Sequence, residues 1–236
     1  MNTDIPEVVI LRLPLYARVL SILVTEGIQV ASSHTLANLL QSTPAQIRKD
    51  LSYFGRFGKQ GRGYNVAFLY HELGQILGLD IDWNIAVIGV GQLGTAIINY
   101  GGFVSQGFHI VAAFDTDVEK QGTYIGGLGI RALNQMEDVV KELKVDLGIV
   151  AVPPSQGQEV VDRLVKSGVK GILNYAPFQA RVPKGVWVRD VDPVVSLESI
   201  TYHLKFGKHT KRAQRTQQEP FKRERKGHQG TELASY

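Results

Sequence analysis

The fold of the second half of this chain follows from one segment, Ile85-Ala86-Val87-Ile88-Gly89-Val90-Gly91-Gln92-Leu93-Gly94. Its first four residues form an apolar run that predicts a buried β-strand, and the glycine-rich turn after it opens a segment of helical character. A strand, a G-x-G-x-x-G turn and a helix in this order are typical of a dinucleotide-binding site. Gly89 permits the tight turn, Gly91 lets the backbone approach a pyrophosphate, and Gly94 lets the helix pack closely on the strand. We therefore predict that the loop binds a dinucleotide through Gly89, Val90, Gly91, Gln92, Leu93 and Gly94.

Around this loop the chain alternates short β-rich runs with helical runs. The pattern predicts strands near 84–89, 109–114, 146–152, 171–174 and 186–189. It predicts helices near 92–106, 135–143 and 155–167, followed by a last amphipathic helix. Strands that alternate with helices indicate a parallel sheet with helices on its faces. The predicted fold class is an α/β Rossmann-type doubly wound parallel sheet.

An acidic residue, Asp115, ends the second predicted strand about two dozen residues after the glycines, where such a residue takes the ribose hydroxyls. A carboxylate there repels a 2′-phosphate, so the sequence favours NAD(H) over NADP(H). The segments 151–154 and 174–177 also follow predicted strands. Their residues Pro153 and Asn174 are candidates to line the nicotinamide side, although the prolines of these segments could equally well only terminate the strands.

The residues before the sheet, 1–80, have a different character and predict a helical domain. Helical periodicity starts after Pro6, and Ser32 or Ser33 can cap a short second helix. Thr43, Pro44 and Gln46 predict a capping box at the start of a third helix that runs to about Phe54. Only about three residues separate the second and third helices, which is typical of a helix-turn-helix. A basic, glycine-rich segment at 56–66 predicts a hairpin, so the domain has the winged-helix plan.

One face of the third helix and the hairpin carry polar and basic side chains that suit DNA. Arg48 and Lys49 can reach phosphates or guanine edges, and Gln46 can recognise adenine. The predicted DNA-binding residues are Ser33, Gln46, Arg48, Lys49, Ser52, Lys59, Arg62 and Tyr64. The alternative is a solvated helix followed by a polar loop.

Composition narrows the class of protein. The 236 residues include no cysteine, which excludes disulfides and thiolate metal sites, and we predict no metal. We predict that no apolar run approaches the roughly 20 residues of a membrane span, so we expect a cytoplasmic protein without membrane contacts. From Lys205 onward the chain has nine Lys or Arg against three Glu, and we predict that 207–236 is a disordered basic tail. The expected domains are therefore 1–80, 81–206 and 207–236.

An enzyme is the main alternative. A dehydrogenase needs a proton donor or acceptor beside the nicotinamide, and none of the six histidines follows a predicted strand near the glycine loop. The remaining alternatives are a NAD-dependent oxidoreductase whose N-terminal helices support a dimer, and a nucleotide- or CoA-binding subunit of a larger complex.

Several motifs, in the same order along the chain, resemble the Rex family of bacterial redox-sensing transcriptional repressors. In the helical domain these are 12–16 (RLPLY), 47–55 (IRKDLSYFG) and 61–66 (GRGYNV). In the sheet domain they are 89–94 (GVGQLG), 114–115 (FD) and 171–177 (GILNYAP). The resemblance covers roughly residues 6–206.

The resemblance implies a homodimer that binds a palindromic operator in double-stranded DNA and is released by NADH, so that it senses the ratio of NADH to NAD+. It implies that the last helix, around Ser196–Phe206, is swapped into the partner subunit. It assigns Arg18, Tyr100 and Asp192 to a switch network near the nicotinamide, with Tyr100 also contacting the cofactor. Pro193 departs from the family, which usually has a large apolar side chain there.

Overall fold

The computed structural model describes residues 5–59 and 62–206. The first part of the chain combines helices with a small sheet. Its elements are α1 (Glu7–Thr25), β1 (Val30–Ala31), α2 (Ser33–Leu39), α3 (Pro44–Ser52), β2 (Gly58–Lys59), β3 (Gly63–Asn65) and α4 (Val66–Leu77). The three strands pair antiparallel in the order β1-β3-β2. The closely spaced α2 and α3, followed by the β2-β3 hairpin, form the predicted winged-helix arrangement.

The ends of these helices follow from their capping residues. Thr43 caps α3 by accepting a hydrogen bond from the Gln46 N–H at 3.2 Å, and Pro44 takes the first helical position. The predicted capping box is wrong in its second half, because the Gln46 side chain donates to Asp50 instead. Helix α3 also ends at Ser52, two residues before the predicted Phe54.

Helix α1 corrects one expectation from composition. By length and composition it is apolar enough to cross a membrane, so an apolar segment of that size does exist. Its residues Leu13, Tyr16 and Leu20 are nevertheless buried in the core of the helical domain, where α1 packs against α4. The apolar composition of α1 is therefore accounted for by its packing in the core of the helical domain.

The second part of the chain forms the sheet. Its strands are β4 (Trp83–Ile88), β5 (Phe108–Asp115), β6 (Tyr124–Ile125), β7 (Leu128–Ala132), β8 (Leu147–Val150), β9 (Gly171–Asn174) and β10 (Trp187–Asp190). The strand order is β10-β9-β8-β4-β5-β7-β6, with β6 antiparallel to β7 and the other neighbours parallel. Without β6, this is the order of a Rossmann sheet, and the predicted fold class is confirmed.

The helices of the sheet domain are α5 (Gln92–Ile98), α6 (Met136–Glu142) and α7 (Pro154–Lys166). Strands were predicted at five of the observed positions, but β6 and β7 were missed because glycines interrupt their apolar pattern. Helix α5 is shorter than the predicted 92–106. It ends at Ile98, before the glycine pair Gly101-Gly102, because glycine favours turns over helix interiors.

The two faces of the sheet have different cover. Ala86 and Ile88 of β4 pack into a core with α6 and α7. Ile85 and Val87 alternate with them and pack on the face that carries α5. The second face is the less covered one, and it holds an apolar groove.

The chain up to Asp190 forms one compact unit, and a second unit begins at Val191. In the second unit lies α8 (Pro193–Phe206), which is the predicted last helix. None of its residues is buried, and its exposed apolar side chains are Val194, Val195, Leu197, Ile200, Tyr202, Leu204 and Phe206. The predicted disordered tail, 207–236, lies outside the described residues, and the three-domain division stays a prediction.

Candidate cofactor and DNA-binding sites

The glycine loop between β4 and α5 is held in place at two of its three glycines. Gly89 has φ +92°, and a Cβ there would lie 2.5 Å from the carbonyl oxygen of Ala151. A Cβ on Gly94 would lie 2.0 Å from the carbonyl oxygen of Gly89. At Gly91, by contrast, a Cβ would meet nothing within 4 Å. The loop is thus tightly packed on its inner side and open at Gly91, which is where a phosphate group needs access to the backbone.

Asp115 lies at the end of β5 and connects the second strand to this loop. Its carboxylate accepts hydrogen bonds from the Val90 N–H at 2.8 Å, the Asp117 N–H at 2.9 Å and the Lys120 Nζ at 3.2 Å. Burial favours a higher pKa for Asp115, but the two backbone N–H groups and the Lys120 ammonium outweigh it and lower the pKa below its usual range. The side chain is therefore an anion held against the loop.

A cleft of about 340 Å³ opens beside this loop, at the carboxyl ends of β4, β5 and β8. The lining residues include Gly89, Gly91, Asp115, Lys120 and Pro153. The strand order reverses at β4, and open α/β sheets bind ligands at such a position. The open backbone at Gly91 and the anion at Asp115 fit the diphosphate and ribose of a dinucleotide.

Other predicted cofactor residues lie outside the cleft lining. Val90 is buried beneath the loop and Gly94 is buried in α5, whereas Gln92 and Leu93 are exposed on α5. Asn174 is also buried, and its amide group bonds to Ala176, Phe178 and Asp190. These bonds hold the loop after β9.

Tyr100 lines a different cavity. This apolar groove of about 530 Å³ lies on the face of the sheet that carries α5. Ile149, Leu173, Trp187 and Phe103 also line it, and the Tyr100 ring packs edge-on against Phe103 with ring centroids 5.2 Å apart. The cofactor cleft and this groove are thus separate features of the domain.

The candidate DNA surface is formed by exposed side chains of α3 and the start of α2. Arg48, Lys49 and Ser52 are exposed as predicted, while Ile47 and Leu51 are buried beneath them. The Arg48 guanidinium donates to Ser33 Oγ at 3.0 Å, so the two helices present these side chains together.

The hairpin contributes less to this surface than predicted from the sequence. Arg62 is exposed on it, but Tyr64 is half-buried against the domain core, and burial raises the pKa of its hydroxyl. The side chain of Lys59 lies outside the described residues.

Sequence reasoning missed a buried carboxylate under this surface. Asp50 of α3 is fully buried and accepts hydrogen bonds from Arg12 Nε at 2.6 Å, from a terminal nitrogen of Arg12 at 2.8 Å and from Gln46 Nε2 at 2.6 Å. Tyr16 donates a further bond through its hydroxyl. Burial favours a higher pKa, but the bonds from Arg12, Tyr16 and Gln46 outweigh it and lower the pKa of Asp50. The signal was the position of Asp50 beside Ile47 and Leu51, because an acid on a buried helix face requires partners.

The three residues assigned to a switch lie in different elements. Arg18 is exposed on α1, and Tyr100 is exposed beside the apolar groove. Asp192 accepts a hydrogen bond from the Val194 N–H at 2.8 Å and so caps α8, in which Pro193 is the first residue. The switch assignment stays a prediction.

Comparison with known proteins relates both halves of the chain to described families. A family model described as a CoA binding domain matches residues 80–178, and one described as a putative DNA-binding protein N-terminus matches residues 4–52. A redox-sensing transcriptional repressor Rex from Roseiflexus sp. (strain RS-1) is 51% identical over 84% of this chain and 90% of its own length. The repressor of the same name from Chloroflexus aggregans is 52% identical, over 84% of this chain and 94% of its own length.

Solved structures agree with these sequence relatives. The structure of RSP in complex with β-NAD+ and operator DNA matches with a TM-score of 0.82 and 39% identity, over 86% of this chain and 94% of that one. The structure of RSP in complex with β-NADH matches with a TM-score of 0.79 and 37% identity, over 86% and 96% of the two chains. A third structure, of RSP as a Rex-family repressor, matches with a TM-score of 0.81 and 36% identity, over 89% and 98%.

Proposed function

This chain belongs to the Rex family of redox-sensing transcriptional repressors, and we propose that it represses transcription as a homodimer that binds a palindromic operator and is released by NADH. The observation that carries the proposal is the presence, in one compact unit, of an exposed basic helix and a dinucleotide-type cleft. Relatives solved with NAD+ and operator DNA, and with NADH, support it.

DNA binding is assigned to the surface of α2, α3 and the hairpin. Arg48 and Lys49 bring positive charge to phosphates and base edges, and Ser33 holds the Arg48 guanidinium in place. Ser52, Arg62, Tyr64 and Lys59 extend this surface as further proposed contacts.

NAD(H) is assigned to the cleft beside the glycine loop. The open backbone at Gly91 would face the diphosphate, and Asp115 would accept hydrogen bonds from the ribose hydroxyls. The anionic state of Asp115 favours NAD(H), since a 2′-phosphate would bring negative charge beside it. Pro153 borders the same cleft. Asn174 stays a proposed cofactor residue, and in this structure its amide holds the loop after β9.

The homodimer would bury the apolar surface that α8 exposes. In a single chain, the apolar groove on the sheet is uncovered, and it is lined by Ile149, Leu173 and Trp187. We propose that α8 of the partner subunit covers this face, because burial of apolar side chains is the main favourable term in association. Helix α1 exposes a further apolar stripe through Val8, Leu11, Leu15 and Ile22.

For NADH to release the DNA, the change in charge of the nicotinamide ring must alter the position of α3. The bound cofactor supplies a nicotinamide ring that is positive when oxidised and neutral when reduced. We propose that Asp192 exchanges partners between Tyr100 and Arg18 according to this charge. Arg18 lies on α1, which pairs with the sheet through Glu7 and Arg189 and with α3 through Arg12 and Asp50.

Half-sites lie about 34–36 Å apart, so a rotation of the subunits misaligns both copies of α3 at once. Inverting a 99:1 preference requires NADH to favour the released state by about 5.5 kcal/mol.

Family membership favours a repressor over the alternatives of an oxidoreductase or a CoA-binding subunit, since the relatives are repressors and not enzymes. A cytoplasmic location and the division into domains 1–80, 81–206 and 207–236 are part of the proposal. The proposed function assigns no metal to this protein.

A mobility-shift titration tests the function. The full chain is mixed with a palindromic operator probe at fixed salt, and NADH is added at fixed NAD+. We expect NADH to release the probe and added NAD+ alone to leave it bound. Equal binding under both conditions would contradict the proposal, and turnover of a carbonyl substrate would favour the oxidoreductase.

A double variant tests whether DNA and NADH bind at different sites. Replacing Arg48 and Lys49 together by Ala should abolish operator binding without altering the affinity for NADH, which is measured by fluorescence of the reduced ring. Operator binding that survives this change would remove α3 from DNA recognition.

A further inference from the structure

The side chain of Gln46 on α3 is held from below by Asp50. Its Nε2 donates to Asp50 Oδ1 at 2.6 Å across one turn of the helix, and Gln46 is itself half-buried at the edge of the surface that carries Arg48 and Lys49. A glutamine on an exposed helix face normally samples several rotamers. This one has a fixed partner before any DNA is bound.

The charge of Asp50 determines which end of the Gln46 amide faces inward. Because Arg12 donates two hydrogen bonds to it and its pKa is lowered, Asp50 is an anion and can only accept. The NH₂ group of Gln46 must therefore face Asp50. The carbonyl oxygen and the second N–H of the amide are left for another partner.

Asp50 itself is enclosed and bonded on several sides, which makes it a firm support. It is fully buried, and both of its other donors, Arg12 and Tyr16, lie one turn apart on α1, which packs in the core of the domain. The orientation of Gln46 is thus fixed by the domain interior through a single hydrogen bond.

Resting on the proposed function, we propose that Gln46 recognises one A·T base pair in each operator half-site, with Asp50 as the positioning residue that orients its amide. Adenine offers an N6–H donor and an N7 acceptor in the major groove, and a glutamine amide pairs with both through its carbonyl oxygen and one N–H. These are the two groups that Asp50 leaves unused. An amide oriented in advance loses little conformational entropy on binding. Because it keeps one order of donor and acceptor, it also discriminates against bases that require the reversed order.

The test measures base preference with the full-length protein. A library of double-stranded DNA with randomised palindromic half-sites yields the preferred site, and dissociation constants are then measured at fixed salt for probes with one base pair changed symmetrically. We expect Gln46→Met to lose the preference at one A·T pair per half-site by about tenfold or more while preferences elsewhere persist. The triple variant Arg12→Met/Tyr16→Phe/Asp50→Leu, which keeps Gln46 but removes its support, should lose the preference at the same pair.

The triple variant is chosen so that the domain stays folded. Exchanging a whole buried ionic cluster for apolar side chains of similar size is often neutral or stabilising, whereas removing one member leaves the others unpaired. Gln158→Met is the matched control, since Gln158 makes the same kind of bond one helical turn away, to Asp162 at 2.7 Å, on α7 of the other domain. It should leave every base preference unchanged.

The possible outcomes either support or overturn the role of Gln46. Full preference at every base pair in Gln46→Met, or an unchanged preference in the folded triple variant, overturns the inference. If the wild-type protein selects no site at all, the proposed function itself fails. If the triple variant does not fold, NMR of the wild-type side-chain amides decides: a Gln46 amide with a protected, shifted proton supports the inference, and a freely averaging one overturns it.

Discussion

Asp50 in the helical domain and Asp115 in the sheet domain are both enclosed anions, but they are held by different kinds of partner. Asp50 accepts from the side chains of Arg12, Tyr16 and Gln46. Asp115 accepts from two backbone N–H groups and from Lys120. In both, these bonds outweigh burial and lower the pKa.

The difference shows how each domain prepares its site. A carboxylate bound by side chains fixes the directions of those side chains, which suits a surface that recognises bases. A carboxylate bound by backbone amides fixes the path of a loop, which suits a cleft that recognises a diphosphate through the main chain.

The largest effect is expected in the glycine loop. Gly94→Ala should destabilise the sheet domain by more than about 4 kcal/mol, because the new Cβ would overlap backbone that cannot move aside. Gly91→Ala should leave stability nearly unchanged, since the space there is open, but should weaken NADH binding. Denaturant unfolding and NADH titration measure the two effects. Similar stability for both variants would contradict the finding that the loop is tightly packed at Gly94 and open at Gly91.

Replacing each carboxylate by alanine should lower the stability of the two domains by different amounts. Asp50→Ala should destabilise the chain by about 3 kcal/mol, because Arg12 and Tyr16 lose their shared acceptor. Asp115→Ala should cost about 1 kcal/mol, since its main donors are uncharged backbone N–H groups and Lys120 is partly exposed. Thermal unfolding of the two variants, measured side by side, checks the order. The contrast between the domains would be wrong if Asp115→Ala were the more destabilised.

Asp115→Ala has a second expected effect, on the cofactor. The variant should weaken NADH binding about tenfold, or about 1.4 kcal/mol, while operator binding without NADH is preserved. Lys120→Ala is the control, because it removes the cation beside Asp115 but keeps the carboxylate and its backbone donors. Unchanged NADH affinity in Asp115→Ala would refute the role of Asp115.

The smallest effect concerns a third carboxylate, Glu137, which pairs with Arg163 at 2.8 Å between α6 and α7. The hydrogen bond from Arg163 lowers the pKa of Glu137 from 4.5 to about 2. Because the folded pKa is the lower one, this stabilisation is present above about pH 4.5 and is lost as the pH falls towards 2.

Glu137→Gln should remove that part of the pH dependence and cost less than about 1 kcal/mol near neutral pH, since the pair is partly exposed. Unfolding measured between pH 2 and pH 7 for both proteins checks this. A wild-type and a variant profile of identical slope below pH 4.5 would contradict it.

Much of the fold could be predicted because local patterns carry it. The apolar runs gave the positions of β4, β5, β8, β9 and β10, and Thr43 and Pro44 gave the start of α3. The two glycine-interrupted strands β6 and β7 were missed, since their local signal is weak and pairing compensates for it: β7 pairs with β5, and β6 pairs with β7.

Parts of the candidate sites could likewise be predicted from local sequence patterns. The glycine loop, Asp115 and the exposed face of α3 could be predicted, because each depends on the spacing of neighbouring residues. The sequence alone therefore determined the fold class, the place of the cleft and the basic helix.

Which groups meet in space depends on tertiary packing. Arg12 and Asp50 are 38 positions apart, and Val90 and Asp115 are 25 apart. The separation of Asn174 from the cleft and the orientation of Gln46 likewise depend on packing between distant segments. The physical reason is that a hydrogen bond requires its two atoms within about 3 Å, and only the packed chain brings distant residues that close.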